Sequence, residues 1–212
     1  MKNDHADLID AISRELAPVK RPLDIDLTAS LWLVGSGIAV VLMTLLVGPI
    51  RPGALAQLLD EPRFLAETVL GVAAIVWLGL AGFRASVPGA LAPRSALPGF
   101  ALALLWIAMC VAGLAFPALE PSMAGKRAYC YLETFAYGVP CAAAALVLTR
   151  LRYPLRPVYA ALESSLAAGI MPALFMQIAC MYAPAHFLQF HLLPGAVVAV
   201  LGVSITACLR RR

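Results

Sequence analysis

The sequence contains few charged residues. Only 13% of its 212 residues are charged, whereas 62% are hydrophobic and the mean hydropathy is +0.86. A water-soluble protein of this length has too small an interior to hide so much apolar surface. A soluble globular protein is therefore excluded, and we expect a lipid bilayer to surround most of the chain.

The sequence also lacks the patterns of several functional classes. It contains no HExxH, GxSxG or phosphate-loop motif, and its cysteines form no CxxC or zinc-ribbon spacing. No acidic, basic or histidine residue lies at the centre of an apolar run, where proton- or ion-coupled carriers usually place one. We predict that the protein is not an enzyme and needs no cofactor. The lack of a central ionisable residue also argues against transport, so a small carrier or efflux protein is kept only as the alternative function.

Six apolar runs are long enough to cross a ~30 Å hydrocarbon core, which takes about 20 helical residues. The predicted fold is an all-α integral membrane protein, a six-transmembrane-helix bundle covering residues 29–209. Residues 1–28 carry charges throughout and contain no cleavable signal peptide, so we expect a cytoplasmic amphipathic segment there and a basic tail at 210–212. The runs span about 29–50, 64–83, 97–117, 130–149, 161–182 and 187–208.

The distribution of Lys and Arg predicts the orientation, since positive residues are retained on the cytoplasmic side. Twelve of the sixteen fall in the N-terminal segment, the second and fourth loops and the C-terminal tail. Both termini are therefore expected inside. The same scattering between apolar runs argues against direct nucleic-acid binding. The four positive residues on the other side are Arg51, Arg63, Lys126 and Arg127.

The N-terminal segment contains an apolar stripe at helical spacing. Leu8, Ile12 and Leu16 recur at i, i+4 and i+8, with Ile9 beside them. One interpretation is a helix lying on the lipid surface or against the bundle. The other is a helix that binds in a groove of a cytoplasmic protein, because no loop exceeds about 15 residues and a large partner has little else to contact.

Two of the five cysteines share one membrane border. Cys130 opens the fourth run and Cys180 ends the fifth, so both lie at the extracytoplasmic side of the predicted topology. Cys110 and Cys141 fall inside runs and Cys208 at the inner border, where cysteines behave as small apolar residues. Two thiols at matched depth are either structural or positioned for a disulfide or a shared soft-metal site.

Polar residues near this border have two interpretations each. Glu133 lies three residues after Cys130. Either it is structural, extending to the membrane interface or pairing with Lys126 or Arg127, or it serves as a further ligand. His186 and His191 flank the last outer turn as ligands or as interfacial residues. Their i, i+5 spacing predicts that they do not share the face of an α-helix.

Short motifs occur along the whole chain in a specific order relative to the six runs. They are Leu-Ile-Asp-Ala-Ile with Leu-Ala-Pro-Val-Lys-Arg within 8–21, Asp-Glu-Pro-Arg-Phe at 60–64, Ser-Val-Pro-Gly at 86–89, Cys130, Leu-Arg-Pro at 155–157, and Cys180. In this order the motifs resemble the NrsF family of bacterial membrane anti-sigma factors. The basic residue that usually follows Ser-Val-Pro-Gly in that family is replaced here by Ala90.

The resemblance implies a negative regulator that holds an extracytoplasmic-function (ECF) sigma factor at the bacterial inner membrane. It further implies that Cys130 and Cys180 are the outer cysteine pair associated with the response to metal or oxidative stress. From its place near Cys130 in the sequence, we expect Glu133 to be a further metal ligand of such a pair. In a regulator of this kind we expect the sigma factor to bind the N-terminal segment. The expected binding residues are Leu8, Ile9, Ile12 and Leu16 as apolar anchors and Lys20 and Arg21 as charges at the rim.

Overall fold

The computed structural model describes residues 3–15, 23–90 and 93–210, and the regular structure within these ranges is helical. A 3₁₀ turn, Pro93–Ala96, precedes the fifth helix, and a π-helical segment, Leu188–Leu192, lies inside the eighth. The helices are α1 Asn3–Glu15, α2 Ile25–Val47, α3 Ala54–Asp60, α4 Pro62–Arg84, α5 Leu97–Ala112, α6 Cys130–Arg150, α7 Pro157–Ala179 and α8 Pro184–Arg210.

Five of these helices are long and apolar enough to cross a membrane: α2, α4, α6, α7 and α8. The chain is therefore a multi-pass membrane protein. Helix α5 is apolar but has only 16 residues. The short helix α3 lies between the first two predicted apolar runs. It follows Gly53, whose φ of 74° is in the left-handed region that favours glycine.

Two of the spanning helices, α2 and α7, begin earlier than hydropathy alone indicates. The side chain of Asp24 accepts hydrogen bonds from the backbone N–H groups of Asp26 and Leu27, so α2 starts at Ile25 rather than at 29. Proline occupies the first helical position of α7, where its missing N–H costs nothing, so that helix starts at Pro157 rather than at 161. A side-chain cap in α2 and an N-terminal proline in α7 thus lengthen these two helices beyond their apolar runs.

Helix α7 lies at the centre of the bundle and packs against α4, α6 and α8. Buried residues make up 72% of its apolar stretch, against 22% for α2. The backbones of α7 and α8 touch: a Cβ on Gly169 would lie 2.1 Å from the carbonyl oxygen of Gly195. Only glycine permits this approach, so the two helices form one tightly packed pair.

Side-chain and backbone hydrogen bonds define two ends of the bundle. At the end we call the cysteine end (residues 48–64, 113–130 and 180–187), Ser122 N–H bonds to the Tyr182 carbonyl at 2.8 Å. At the opposite end (residues 23–28, 84–90, 93–96 and 149–157), Arg84 forms two hydrogen bonds with Asp26, at 2.7 and 2.9 Å. Helix α5 is antiparallel to α4, because Gly99 is next to Leu78 and Trp106 is next to Gly71.

Candidate functional site

The two cysteines singled out from the sequence are in contact at the cysteine end. Cys130 is the first residue of α6, and Cys180 directly follows α7. Both are buried free thiols, and their Sγ atoms are 3.2 Å apart. The hydrogen bond with Cys130 lowers the pKa of the Cys180 thiol well below its usual value, although burial raises it.

Both histidines at the start of α8 lie beside this pair. The Nε2 atom of His186 is 3.7 Å from the Sγ of Cys180, and the rings of His186 and His191 have centroids 5.1 Å apart. The prediction that the two histidines do not share a helix face is wrong, because it assumed an α-helix and Leu188–Leu192 is π-helical. Bonding of N–H groups to carbonyls five residues back widens the turn, which brings residues five apart together.

These four residues form one cluster. Each of Cys130, Cys180, His186 and His191 offers a ligand atom, and the four atoms all lie within 4.8 Å of one another. Three of the residues are buried, and His186 is partly exposed. Two thiols and two imidazoles are a donor set found in tetrahedral zinc sites. The sequence pattern indicated the cysteines but did not join the histidines to them.

Thr134, one turn after Cys130 in α6, connects the thiol pair to His191. Its Oγ1 lies 2.9 Å from the carbonyl oxygen of Cys130 and 3.0 Å from the Nδ1 of His191. The His191 side chain is 1% exposed, and its Nε2 has no hydrogen-bond partner. The sequence offered only one signal for Thr134, its i, i+4 spacing from Cys130.

Glu133 pairs with Arg127 rather than joining the cluster. The Nε of Arg127 donates to the Glu133 carboxylate at 2.7 Å, and both side chains are buried. Arg127 also donates to the carbonyls of Thr44 and Pro49, each at 2.9 Å. Of the two interpretations for Glu133, the geometry places it in the ion pair, and its carboxylate is not among the four clustered ligand atoms.

Arg51 is a second buried cation at this end. Its guanidinium lies 5.8 Å from the ring centre of Phe64 and 5.7 Å from that of Tyr182. Burial lowers the pKa of Arg51, and the nearby Tyr182 and Cys180 raise it. The sequence indicated Arg51 only as a loop charge, and its place beside the thiols follows from tertiary contacts.

Helix α1 presents the apolar stripe to the surface. Leu8, Ile9 and Ile12 are each more than half exposed. Arg14 pairs with Asp10 away from the stripe, with an N–O distance of 3.3 Å. Leu16, Lys20 and Arg21, the other expected partner-binding residues, lie outside the described residues. Within the described part of α1, the stripe is therefore not covered by the bundle.

Comparison with known proteins gives one result for the whole chain. The model of the NrsF family, described as negative regulator of sigma F, matches residues 12–211. This range includes all of the spanning helices and the four-residue cluster. No curated protein and no solved structure gives a significant match to the chain.

Proposed function

Because the chain belongs to the NrsF family of negative regulators of sigma F, we propose that it captures an ECF sigma factor at the bacterial inner membrane and releases it under envelope metal or oxidative stress. Negative regulation of a sigma factor follows from the family itself. The observation that supports the sensing role is the 3.2 Å contact between the Sγ atoms of Cys130 and Cys180, which places two reactive groups on two different helices.

The proposed topology has six crossings with both termini in the cytoplasm. Helix α5 and its preceding 3₁₀ turn together extend roughly 32 Å, close to the ~30 Å of a hydrocarbon core. Residue 23 and the end of α8 both lie at the opposite end from the cysteines, as an even number of crossings requires. Reporter fusions within residues 120–127 should be extracytoplasmic, and fusions at either terminus cytoplasmic; a translocated N-terminus would contradict both the topology and the capture of a sigma factor.

The proposed capture surface is the stripe of α1, with Lys20 and Arg21 at its rim. A 13-residue helix is marginal by itself in water, and its exposed Leu8 and Ile12 gain stability when a groove covers them. The acidic and basic residues on the other face of α1 keep that side in water.

The test of capture is co-purification of the tagged chain with a sigma factor, identified by mass spectrometry, from detergent extracts. We expect Ile12→Asp to abolish co-purification at unchanged protein abundance, since a charge would then be buried in the groove. Ala11→Asp, which adds the same charge off the stripe, is the matched control and should retain the partner. Capture that survives Ile12→Asp would place the binding surface in the cytoplasmic loops.

The proposed signal is a change in how α6 and α7 pack. A disulfide or a shared metal ion would tie the start of α6 to the end of α7, and each helix contains an internal proline, Pro140 or Pro172, at which it can bend. A few kcal/mol of preference between two packings is enough to change the population that captures the sigma factor.

Sensing is tested with a sigma-dependent reporter, with and without metal or oxidant. Replacing Cys130 or Cys180 by serine should change the induction while the protein stays inserted. Cys208→Ser, which alters an exposed cysteine outside the pair, should leave induction unchanged. Equal induction in all three variants would show that the outer pair is structural only.

A further inference from the structure

We infer that Cys130, Cys180, His186 and His191 form a tetrahedral site for one divalent cation of borderline or soft character, of the Zn²⁺ and Cd²⁺ class. This inference deepens the proposed function, because it names the class of ligand that the cysteine end binds and adds two histidines to the proposed cysteine pair. It is carried by the geometry of the four side chains and by an unpartnered nitrogen buried among them.

The spacing of the donor atoms is close to that of a tetrahedral site. With metal–sulfur and metal–nitrogen bonds of about 2.3 and 2.0 Å, neighbouring donors in a tetrahedron lie roughly 3.3–3.8 Å apart. Here the Sγ atoms of Cys130 and Cys180 are 3.2 Å apart, and the Nε2 of His186 is 3.7 Å from the Cys180 Sγ. The largest separation in the cluster is within 4.8 Å, so a shift of about one ångström completes the geometry.

The hydrogen bonds of Thr134 assign the tautomer of His191. The Thr134 hydroxyl has one proton, and the carbonyl of Cys130 accepts it at 2.9 Å. The hydroxyl oxygen can then only accept from His191, so Nδ1 carries the proton of the imidazole. This leaves Nε2 with a free lone pair, buried and without a partner. Histidine ligands typically hydrogen-bond to a second residue through one ring nitrogen, which leaves the other nitrogen available to the metal.

The charge and the chemical type of the donor atoms select the class of cation. Binding converts two thiols to thiolates and releases two protons to solvent: M²⁺ + 2 Cys–SH → M(S–Cys)₂ + 2 H⁺. Two thiolates, two neutral imidazoles and a divalent ion sum to zero, which suits a buried site. Hard cations such as Mg²⁺ prefer oxygen donors and are excluded by this donor set. The partly exposed His186 lies on the side by which an ion would enter.

The direct test is a Co²⁺ titration of the full chain, reduced, in detergent micelles without a sigma factor. We expect one Co²⁺ per chain, with a thiolate-to-cobalt charge-transfer band and the strong visible bands of tetrahedral Co²⁺. Zn²⁺ or Cd²⁺ should displace it and Mg²⁺ should not. His186→Gln and His191→Gln should each weaken binding at least tenfold, and Thr134→Val should weaken it about 10–100-fold by releasing the ring.

His5→Gln is the matched control, because His5 is the third histidine of the chain and is exposed on α1. Its spectrum and affinity should equal those of the unsubstituted protein. Binding unchanged in both His186→Gln and His191→Gln would overturn the inference and leave the cysteines as the only candidate ligands. Octahedral Co²⁺ spectra would overturn it as well.

A second measurement does not depend on purifying the variants. In membrane vesicles, Zn²⁺ should protect Cys130 and Cys180 from alkylation by a maleimide, read by mass spectrometry, and His191→Gln should remove this protection. Cys208 should react equally throughout. Equal protection in His191→Gln would contradict the site. Neither experiment uses a sigma factor, so the two proposals can fail separately. If the chain binds Co²⁺ but no sigma factor co-purifies, only the proposed function is refuted. If a sigma factor co-purifies but the chain does not bind Co²⁺, only this inference is refuted.

Discussion

Arg127 provides the sharpest test of how the cysteine end is held together. Its buried guanidinium joins the Glu133 carboxylate of α6 to the carbonyls of Thr44 and Pro49, where α2 ends. Its own carbonyl oxygen lies 3.2 Å from the Sγ of Cys130. The cation also faces the negative end of the α2 dipole, which favours it there. Loss of Arg127 should therefore loosen α2, α6 and the thiol pair together.

The magnitude follows from what each substitution leaves behind. Arg127→Met leaves Glu133 buried with Tyr137 Oη, at 3.3 Å, as its remaining contact. An uncompensated buried charge costs about 3–5 kcal/mol of unfolding free energy. Arg127→Met with Glu133→Leu removes both charges and loses the two carbonyl hydrogen bonds, about 2 kcal/mol together. In the double variant the Thr44 carbonyl still accepts a hydrogen bond from the N–H of Gly48. Because no buried charge is left unpaired, the double variant should be more stable than either single variant.

The assay is reversible unfolding of the purified chain in mixed micelles, followed by circular dichroism across the double-mutant cycle. The matched control is Arg84→Met, which breaks the half-exposed ion pair with Asp26 and should cost less than about 1 kcal/mol. A double variant less stable than both single variants would refute the reasoning. So would an Arg127→Met variant that unfolds like the unsubstituted protein.

Two further substitutions test other parts of the structure. Gly169→Ala should destabilise the bundle by about 1–3 kcal/mol in the same unfolding assay, because the new methyl group meets the backbone of Gly195. Gly37→Ala is its control, since nothing lies within 4 Å of a Cβ there, and equal effects of the two would contradict the proposed contact. Leu8→Ala should weaken sigma-factor binding roughly thirtyfold, the equivalent of about 2 kcal/mol for one buried anchor, as measured by titration of purified partners. Binding within threefold of the unsubstituted chain would show that Leu8 is not an anchor.

Several features of the site could be predicted from the sequence because they depend on position along a helix. The length of an apolar run sets how deep each residue lies, so Cys130 and Cys180 could be placed at one level before any contact was known. The period of Leu8 and Ile12 likewise predicts the stripe of α1, since helical spacing alone puts them on one face. All of these inferences concern a single helix or the depth of its ends.

The rotation of each helix about its axis, and hence which side chains meet, was decided only by the tertiary structure. The contact between Gly169 and Gly195 joins two different helices, so the pattern of either helix alone does not identify it. The choice of Arg127 over Lys126 for Glu133 depends on carbonyls about 80 residues earlier in the chain. His191 joins the thiols through a π-helical turn, because one widened turn rotates every residue beyond it. Hydropathy and α-helical periodicity carry no information about such a rotation.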